Sequence, residues 1–476
     1  MDSWAASVLL FFTMLIMLAS AFLLMIEGWT SVIFLSLIVT ANFISSGSTT
    51  MYRNQAYGLD YDTVKAGYNK NDIQRLQANK QNLYLDIENG VRLLENWKRK
   101  TGQNKPVAVI LNVPGGGLRS AMWTIQSIAE ANEISEGSLW NNMLLISGSS
   151  GGMIGAAYLR EYYWRKQHHE TDLHTRDLVA DMSEDKLNPV AATAVLNDLF
   201  FRFKTFEYDG KTYTRDRALA FEKKLDIDTR GWLNRRLGDY TALEMAAEMP
   251  LLILAPTISD DGRKLLISAQ PISYLCTIND STQLNENVEF TRMFEKQGAK
   301  NLNFISALRM SATFPYVFPA ANLPTDPDIE ILDAGIRDNY GMSNTLKFIH
   351  FYKEWLKNNT SAIVIIQVRD QEKISGTKSN KKTSLLEAIA QPFGTFYNTI
   401  LDVQDYQMDD QIRMTQDWYS GKIELVDLVL NRSPSNPISL SWHLTQREKD
   451  RIISAIDTDH NQMQFLRLKR LMKESK

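Results

Sequence analysis

The sequence predicts an α/β protein with a mostly parallel central sheet, preceded by a pair of membrane-embedded helices. Three observations predict this. Between residues 107 and 164, an apolar run of strand length, a glycine-rich turn and a helical stretch occur twice in succession, the pattern of a parallel sheet with helical crossovers. Residues 4–26 hold no ionisable side chain. The 476 residues are 44% hydrophobic and 22% charged, which is the balance of a folded chain with material for a large core.

Composition also excludes several function classes. Lys plus Arg number 52 against 55 Asp plus Glu, a net charge of −3, so nothing attracts nucleic acid globally. The lone cysteine, Cys276, excludes an intramolecular disulfide and any cysteine-ligated zinc or iron–sulfur site, and it suits a reducing compartment.

Residues 4–26 can cross a hydrocarbon core of roughly 30 Å at about 1.5 Å per residue. Glu27-Gly28 interrupts the run, and a second one extends from Trp29 to about Ile44. A signal peptide would open on basic residues, whereas this chain opens Met1-Asp2-Ser3. The expectation is therefore two membrane-embedded helices within residues 1–45, joined by a tight turn. Arg53, Lys65 and Lys70 follow the second run, and Arg92, Lys98, Arg99 and Lys100 lie further on. Positive charge stays inside, which puts the large C-terminal portion on the cytoplasmic face of the bilayer. Whether a protein partner engages the hairpin stays open.

Residues 46–105 read as a polar connector, with helical spacing from Asn71 to Lys100. From residue 106 to 476 the chain reads as one large domain. Val107–Val113 and Met143–Ser147 are continuous apolar runs, as in strands buried on both faces; helices are expected from Leu118 to about Glu133 and from Met153 to Trp164. Residues 166–250, rich in charge and aromatics, read as a mostly helical insertion. Leu251–Thr257 and Lys264–Ser268 flank Asp260-Asp261-Gly262 as a hairpin. Further strands are expected at Ile329–Asp333, Ala362–Val368 and Lys422–Leu428, and Gln371–Lys382 reads as a mobile basic segment.

Three blocks carry the chemistry. Gly148-Ser149-Ser150-Gly151-Gly152 directly follows a strand. A G-x-S-x-G turn puts its serine on a sharp bend, where flanking side chains would clash, and at the positive end of the next helix. Ser150 is the candidate nucleophile. Pro114-Gly115-Gly116-Gly117-Leu118-Arg119 follows the neighbouring strand. Three glycines allow successive N–H groups to point at one anion. A Walker loop lacks its Lys-Ser or Lys-Thr pair, and Ser120 stands where a dinucleotide fingerprint needs glycine, so an oxyanion hole fits better. Asp333-Ala334-Gly335 stands at the end of the Ile329–Leu332 strand candidate, where parallel sheets place their chemistry.

In this order, with Ser311-Ala312-Thr313-Phe314-Pro315 before the aspartate, the blocks resemble the patatin-like phospholipase family over roughly Val107 to Gly341. The resemblance implies a three-layer sandwich, a Ser–Asp dyad without catalytic histidine, and hydrolysis of a lipid acyl ester through an acyl-enzyme. Carried over by position, Ser150 is the nucleophile and Asp333 its base; Gly115, Gly116 and Gly117 form the oxyanion hole, with Gly116 and Gly117 as N–H donors, Gly115 shaping the loop and Gly151 a further candidate donor. Arg119 is the candidate for a lipid phosphate, with a structural salt bridge as its alternative. No metal or other cofactor is implied, and the partners are a lipid substrate and the bilayer. Ala334 departs from the commoner glycine. An acyltransferase or thioesterase using the same acyl-enzyme, and a non-catalytic component of a membrane complex, are the competing readings.

Among six histidines, His443 alone competes for a triad, since Ser150, Asp333 and His443 follow the order of α/β-hydrolases. Packing against the helix start at Thr445 is its other reading. His168, His169 and His174 lie in a charged stretch and read as solvated surface. Phe200, Phe201, Phe203 and Phe206, interleaved with Arg202 and Lys204, suit either a lipid headgroup zone or the core of the insertion.

Overall fold

The computed structural model describes residues 3–25, 29, 32, 33, 35, 36, 39, 40, 54–198, 204–277, 284–314, 317–371, 385–430 and 438–473, without the side chains of 3–8, 22–25, 385–399, 401 and 402. Helix α1 spans Ser3–Met25. Among the described residues no helix is long and apolar enough to cross a membrane. A crossing takes about 20 consecutive apolar residues, and the described side chains of α1 run only from Leu9 to Ala21. The expected pair of spanning helices is thus not found, and most of the run from Trp29 to Ile44 lies outside the described residues.

The expected helix at 71–100 is two helices, α2 (Lys70–Gln77) and α3 (Lys80–Thr101). The break falls at Asn79, whose side chain accepts the N–H of Asn82 and caps α3. β1 (Val107–Val113), α4 (Gly117–Ile134), β2 (Met143–Gly148) and α5 (Ser150–Gln167) then follow almost at their predicted bounds.

The 166–250 stretch contains helices α6 (Thr175–Met182), α7 (Leu187–Thr193) and α8 (Arg217–Asp228), and also a hairpin of β3 (Thr205–Tyr208) and β4 (Lys211–Thr214) that was not anticipated. Phe206 lies in that hairpin and packs on Tyr57, ring centroids 4.8 Å apart; this is a core role. Phe200, Phe201 and Phe203 lie outside the described residues, as do residues 372–382.

β5 (Leu251–Leu254), β11 (Ala362–Arg369) and β12 (Ile423–Val429) complete a five-stranded, all-parallel sheet in the order β12–β11–β1–β2–β5. Its side chains alternate between two cores, as a period of two requires. Val107, Val109, Leu111 and Val113 face one cluster with α4 and α5, while Ala108 and Ile110 face another with α3. This makes three layers, and β1, β2, β5 and β11 are buried along their whole length because both faces are covered, whereas the edge strand β12 is only partly buried.

A second sheet is built from β6 (Thr257–Ile258), β7 (Lys264–Leu266), β8 (Asn287–Glu289), β9 (Ala321–Leu323) and β10 (Ile329–Leu332), ordered β9–β10–β6–β7–β8. The run read as one strand from Leu251 to Thr257 divides between the two sheets. β10 pairs antiparallel with both neighbours. Asp333 therefore leaves the second sheet rather than a parallel strand of the first. Helices α9 (Phe304–Ser311), α10 (Gly335–Asp338), α11 (Met342–Phe351), α12 (Leu385–Trp418), α13 (Gln446–Ser454) and α14 (Asp459–Lys473) fill the remaining flanks.

Candidate active site

Two turns leave the carboxyl ends of adjacent strands β1 and β2 and enter the 18-residue helices α4 and α5. Both helix N-termini reach the same region, each contributing a partial positive charge. The turns are in contact. A Cβ on Gly151 would stand 1.9 Å from the Gly117 carbonyl oxygen, and one on Gly116, at φ +146°, would stand 2.1 Å from the Ser120 hydroxyl. Only glycine allows either approach. Ser150 occupies the bend with φ 48°, a left-handed conformation that L-residues with a Cβ seldom adopt and that clusters at functional sites. It is 6% exposed.

Asp333 arrives from the second sheet. Its main-chain N–H donates to the Thr313 carbonyl at 2.9 Å, and the Thr257 hydroxyl donates to its carbonyl at 3.0 Å. One carboxylate oxygen accepts the Gly335 N–H at 2.7 Å, and the Ser150 hydroxyl is close enough to the same side chain to favour its charged form. Burial dominates its electrostatics and pushes the pKa up from 3.8 to about 6, against the opposing pull of the Gly335 N–H and the Ser150 hydroxyl. A carboxylate with that pKa is a far better base at neutral pH than an ordinary aspartate.

The glycine turn divides its labour. The Gly115 N–H is taken by Asn339, whose side-chain oxygen lies 2.9 Å away; Gly115 therefore shapes the turn, and its N–H is not free to meet an oxyanion. The N–H groups of Gly116, Gly117 and Gly151 have no hydrogen-bond partner among the described residues. Three free donors beside a hydroxyl and a carboxylate are the components of acyl transfer.

Arg119 is taken up by a buried ion pair, the structural alternative to meeting a lipid phosphate. Its Nε and Nη2 both donate to Asp370 Oδ2, at 3.0 and 2.5 Å, and Nη1 donates to the Ile438 carbonyl at 2.9 Å. Both side chains are buried. The pair ties the start of α4 to the end of β11. Arg119→Ala should therefore cost about 3–5 kcal/mol by leaving Asp370 buried and unpaired, as read by denaturant unfolding. A stable variant with only a raised KM would restore the phosphate role.

His443 is occupied elsewhere. Its Nδ1 lies 3.1 Å from Asp185, just before the Thr445–Glu448 capping box of α13. No contact joins it to Ser150 or Asp333 among the described residues. His443→Gln should leave ester turnover within a few-fold of wild type; a loss of roughly 10³ or more in a folded variant would make it a triad member.

Two residues at the site were given no role from the sequence. Asn339, buried beneath both turns, also accepts the Ser149 hydroxyl on its carbonyl at 2.7 Å. Gln404 on α12 accepts the Asn339 N–H at 2.8 Å. Asn339 stands six residues after Asp333, close enough to have prompted a question; Gln404 gave no local signal.

A three-layer α/β domain with a strained serine on one glycine turn and a second glycine turn beside it defines the class. Residues 113–345 match the family model for patatin-like phospholipases. Among solved structures, human GIVD cytosolic phospholipase A2 aligns with a TM-score of 0.43 at 10% identity, covering 83% of this chain and 67% of that one. VipD from Legionella pneumophila aligns with a TM-score of 0.32 at 12% identity, over 77% and 67%. No curated protein matches the sequence.

Proposed function

We propose that the protein is a membrane-anchored serine lipid acyl hydrolase of phospholipase A type, acting through a Ser150–Asp333 dyad. One observation carries the reading. A buried carboxylate with pKa about 6 stands beside the hydroxyl of a strained serine, next to backbone N–H groups that have no partner among the described residues.

In the mechanism, Asp333 takes the Ser150 proton as Oγ attacks the ester carbonyl. The carbonyl oxygen gains charge and is held by the N–H groups of Gly116, Gly117 and Gly151, each such donor being worth about 10²–10³ in rate. Collapse expels the alcohol, which takes the proton from Asp333, and leaves the acyl group on Ser150. Asp333 then takes a proton from water, whose oxygen attacks the acyl-enzyme, and the fatty acid departs as Oγ recovers its proton. One carboxylate is base and acid in turn, which suits a pKa near the working pH.

Anchoring belongs to the same reading. Leu10, Ile16, Met17 and Leu18 on α1 are each more than 60% exposed, as expected of a helix whose solvent is lipid. Attachment there holds the site against its substrate at high effective concentration, and the basic residues after position 52 place the domain on the cytoplasmic side. The test is mass spectrometry of products from a mixed phospholipid extract. The reading predicts free fatty acid and lysolipid from wild type and neither from Ser150→Ala; acyl groups moved to another acceptor, or identical profiles, would contradict it.

A further inference from the structure

Helix α12 reaches the site through one amide. While Gln404 Oε1 accepts the Asn339 N–H at 2.8 Å, its Nε2 donates to the carbonyls of Gly335 and Ile336, at 3.1 and 2.9 Å. One side chain thus holds both ends of the turn that begins at Asp333. Asn339 passes the constraint on, through Gly115 to the glycine turn and through Ser149 to the nucleophile turn. The next residue on α12, Asp405, pairs with Arg369 at the end of β11 at 3.0 Å. The helix is therefore fixed to the central sheet beside Gln404. Three segments distant in sequence, at 115, 149 and 335–339, are registered against one another by these bonds.

We propose that Gln404, acting through Asn339, is a positioning residue that sets the spacing of the Ser150 hydroxyl, the Asp333 carboxylate and the glycine-turn donors. This rests on the hydrolase reading above. Glutamine is required because the position needs an acceptor and two donated hydrogens on one planar group. Methionine has the length and neither function. Glutamate keeps an acceptor for Asn339 and turns its other oxygen on two carbonyls, adding negative charge near Asp333. Mere attachment of α12 is a separable role, because Met408, one turn further on and buried, anchors the same helix by packing alone.

The experiment compares full-length wild type, Gln404→Met, Gln404→Glu and Met408→Ala, using amide hydrogen exchange over residues 111–120 and 333–345 and steady-state kinetics on a soluble short-chain nitrophenyl ester. Gln404→Met should speed exchange in both segments by about tenfold. It should also lower kcat by roughly 10–100-fold with KM nearly constant, the penalty expected when reacting groups drift by about 1 Å. Gln404→Glu should in addition move the acid limb of the pH–rate profile to higher pH, because a nearby negative charge disfavours ionised Asp333. Met408→Ala should lower Tm and change neither exchange nor kcat. Unchanged exchange at 111–120 in Gln404→Met, or an equal loss of kcat in a Met408→Ala variant of matched stability, would overturn the proposal. A wild type without turnover would overturn the hydrolase reading instead, and the exchange data would still decide whether Gln404 positions these turns.

Discussion

Asp333→Asn is expected to make the protein more stable and almost inactive. The carboxylate is 1% exposed, and its pKa stands at about 6 against an ordinary 3.8. Folding therefore favours the protonated form. Above pH 6 the side chain is ionised in both folded and unfolded states, and the fold bears the full penalty, on the order of 3 kcal/mol at about 1.4 kcal/mol per pH unit. As pH falls through 6 toward 3.8 the folded state takes up its proton first and the penalty fades. Asparagine removes the charge and keeps an oxygen for the Gly335 N–H. At pH 8 its Tm should rise by roughly 2–5 °C, and below pH 4 the gain should vanish. Turnover should drop by about 10²–10⁴, the usual contribution of a positioned base. In wild type, turnover should rise about tenfold per pH unit below 6 and level off above it. Thermal melts and rates at both pH values check the pair; a destabilised Asp333→Asn at pH 8 would show that burial is not what sets this group's pKa.

Gly151→Ala is expected to disrupt the site severely through a single methyl group. Its Cβ would lie 1.9 Å from the oxygen and 2.7 Å from the carbon of the Gly117 carbonyl. Those are backbone atoms in the first turn of α4, with no rotamer to give way. The two turns would have to part by more than 1 Å. That separates the donors of Gly116 and Gly117 from Ser150, and a misplaced oxyanion donor costs about 10²–10³ in rate. Overpacking of this kind also costs about 1–3 kcal/mol or more in stability. Gly102 is the comparison. It too has positive φ, 70°, but nothing lies within 4 Å of its Cβ position, so Gly102→Ala should cost only about 1–2 kcal/mol for the left-handed backbone and leave turnover unchanged. Rates and unfolding midpoints of the two variants measure the difference. Equal effects would mean that the two glycine turns do not touch.

These expectations rest on features that differ in how readable they were. β1, β2 and the two glycine turns were visible because each is dictated by neighbours in sequence: an apolar run, then residues that permit a bend. The position of Asp333 was read correctly as the end of a strand and assigned to the wrong sheet. The signal was Glu330, the exposed residue within Ile329–Leu332; a charged side chain between two buried isoleucines marks a strand with one open face, not one enclosed in a parallel sheet. The Asp209-Gly210 turn between alternating threonines and aromatics likewise announced the hairpin that a helical reading of the insertion passed over.

Other features had no local signature at all. The partner that buries Arg119 is Asp370, 251 positions away, and a basic residue beside an anion-binding turn looks the same whether it meets substrate or a carboxylate. Gln404 is 65 positions from Asn339 and lies on a helix whose sequence gives no hint of the site. Long-range pairing decided these roles, and one-dimensional pattern carries no record of it.

The most direct measurement is labelling of the full-length protein with a fluorophosphonate, followed by peptide mass spectrometry across pH. The account predicts one adduct, on Ser150, formed at a rate that climbs with pH and levels off above about 6, absent in Ser150→Ala and at least tenfold slower in Asp333→Asn. An adduct on a different side chain, or a Ser150 rate indifferent to the loss of the Asp333 carboxylate, would contradict it.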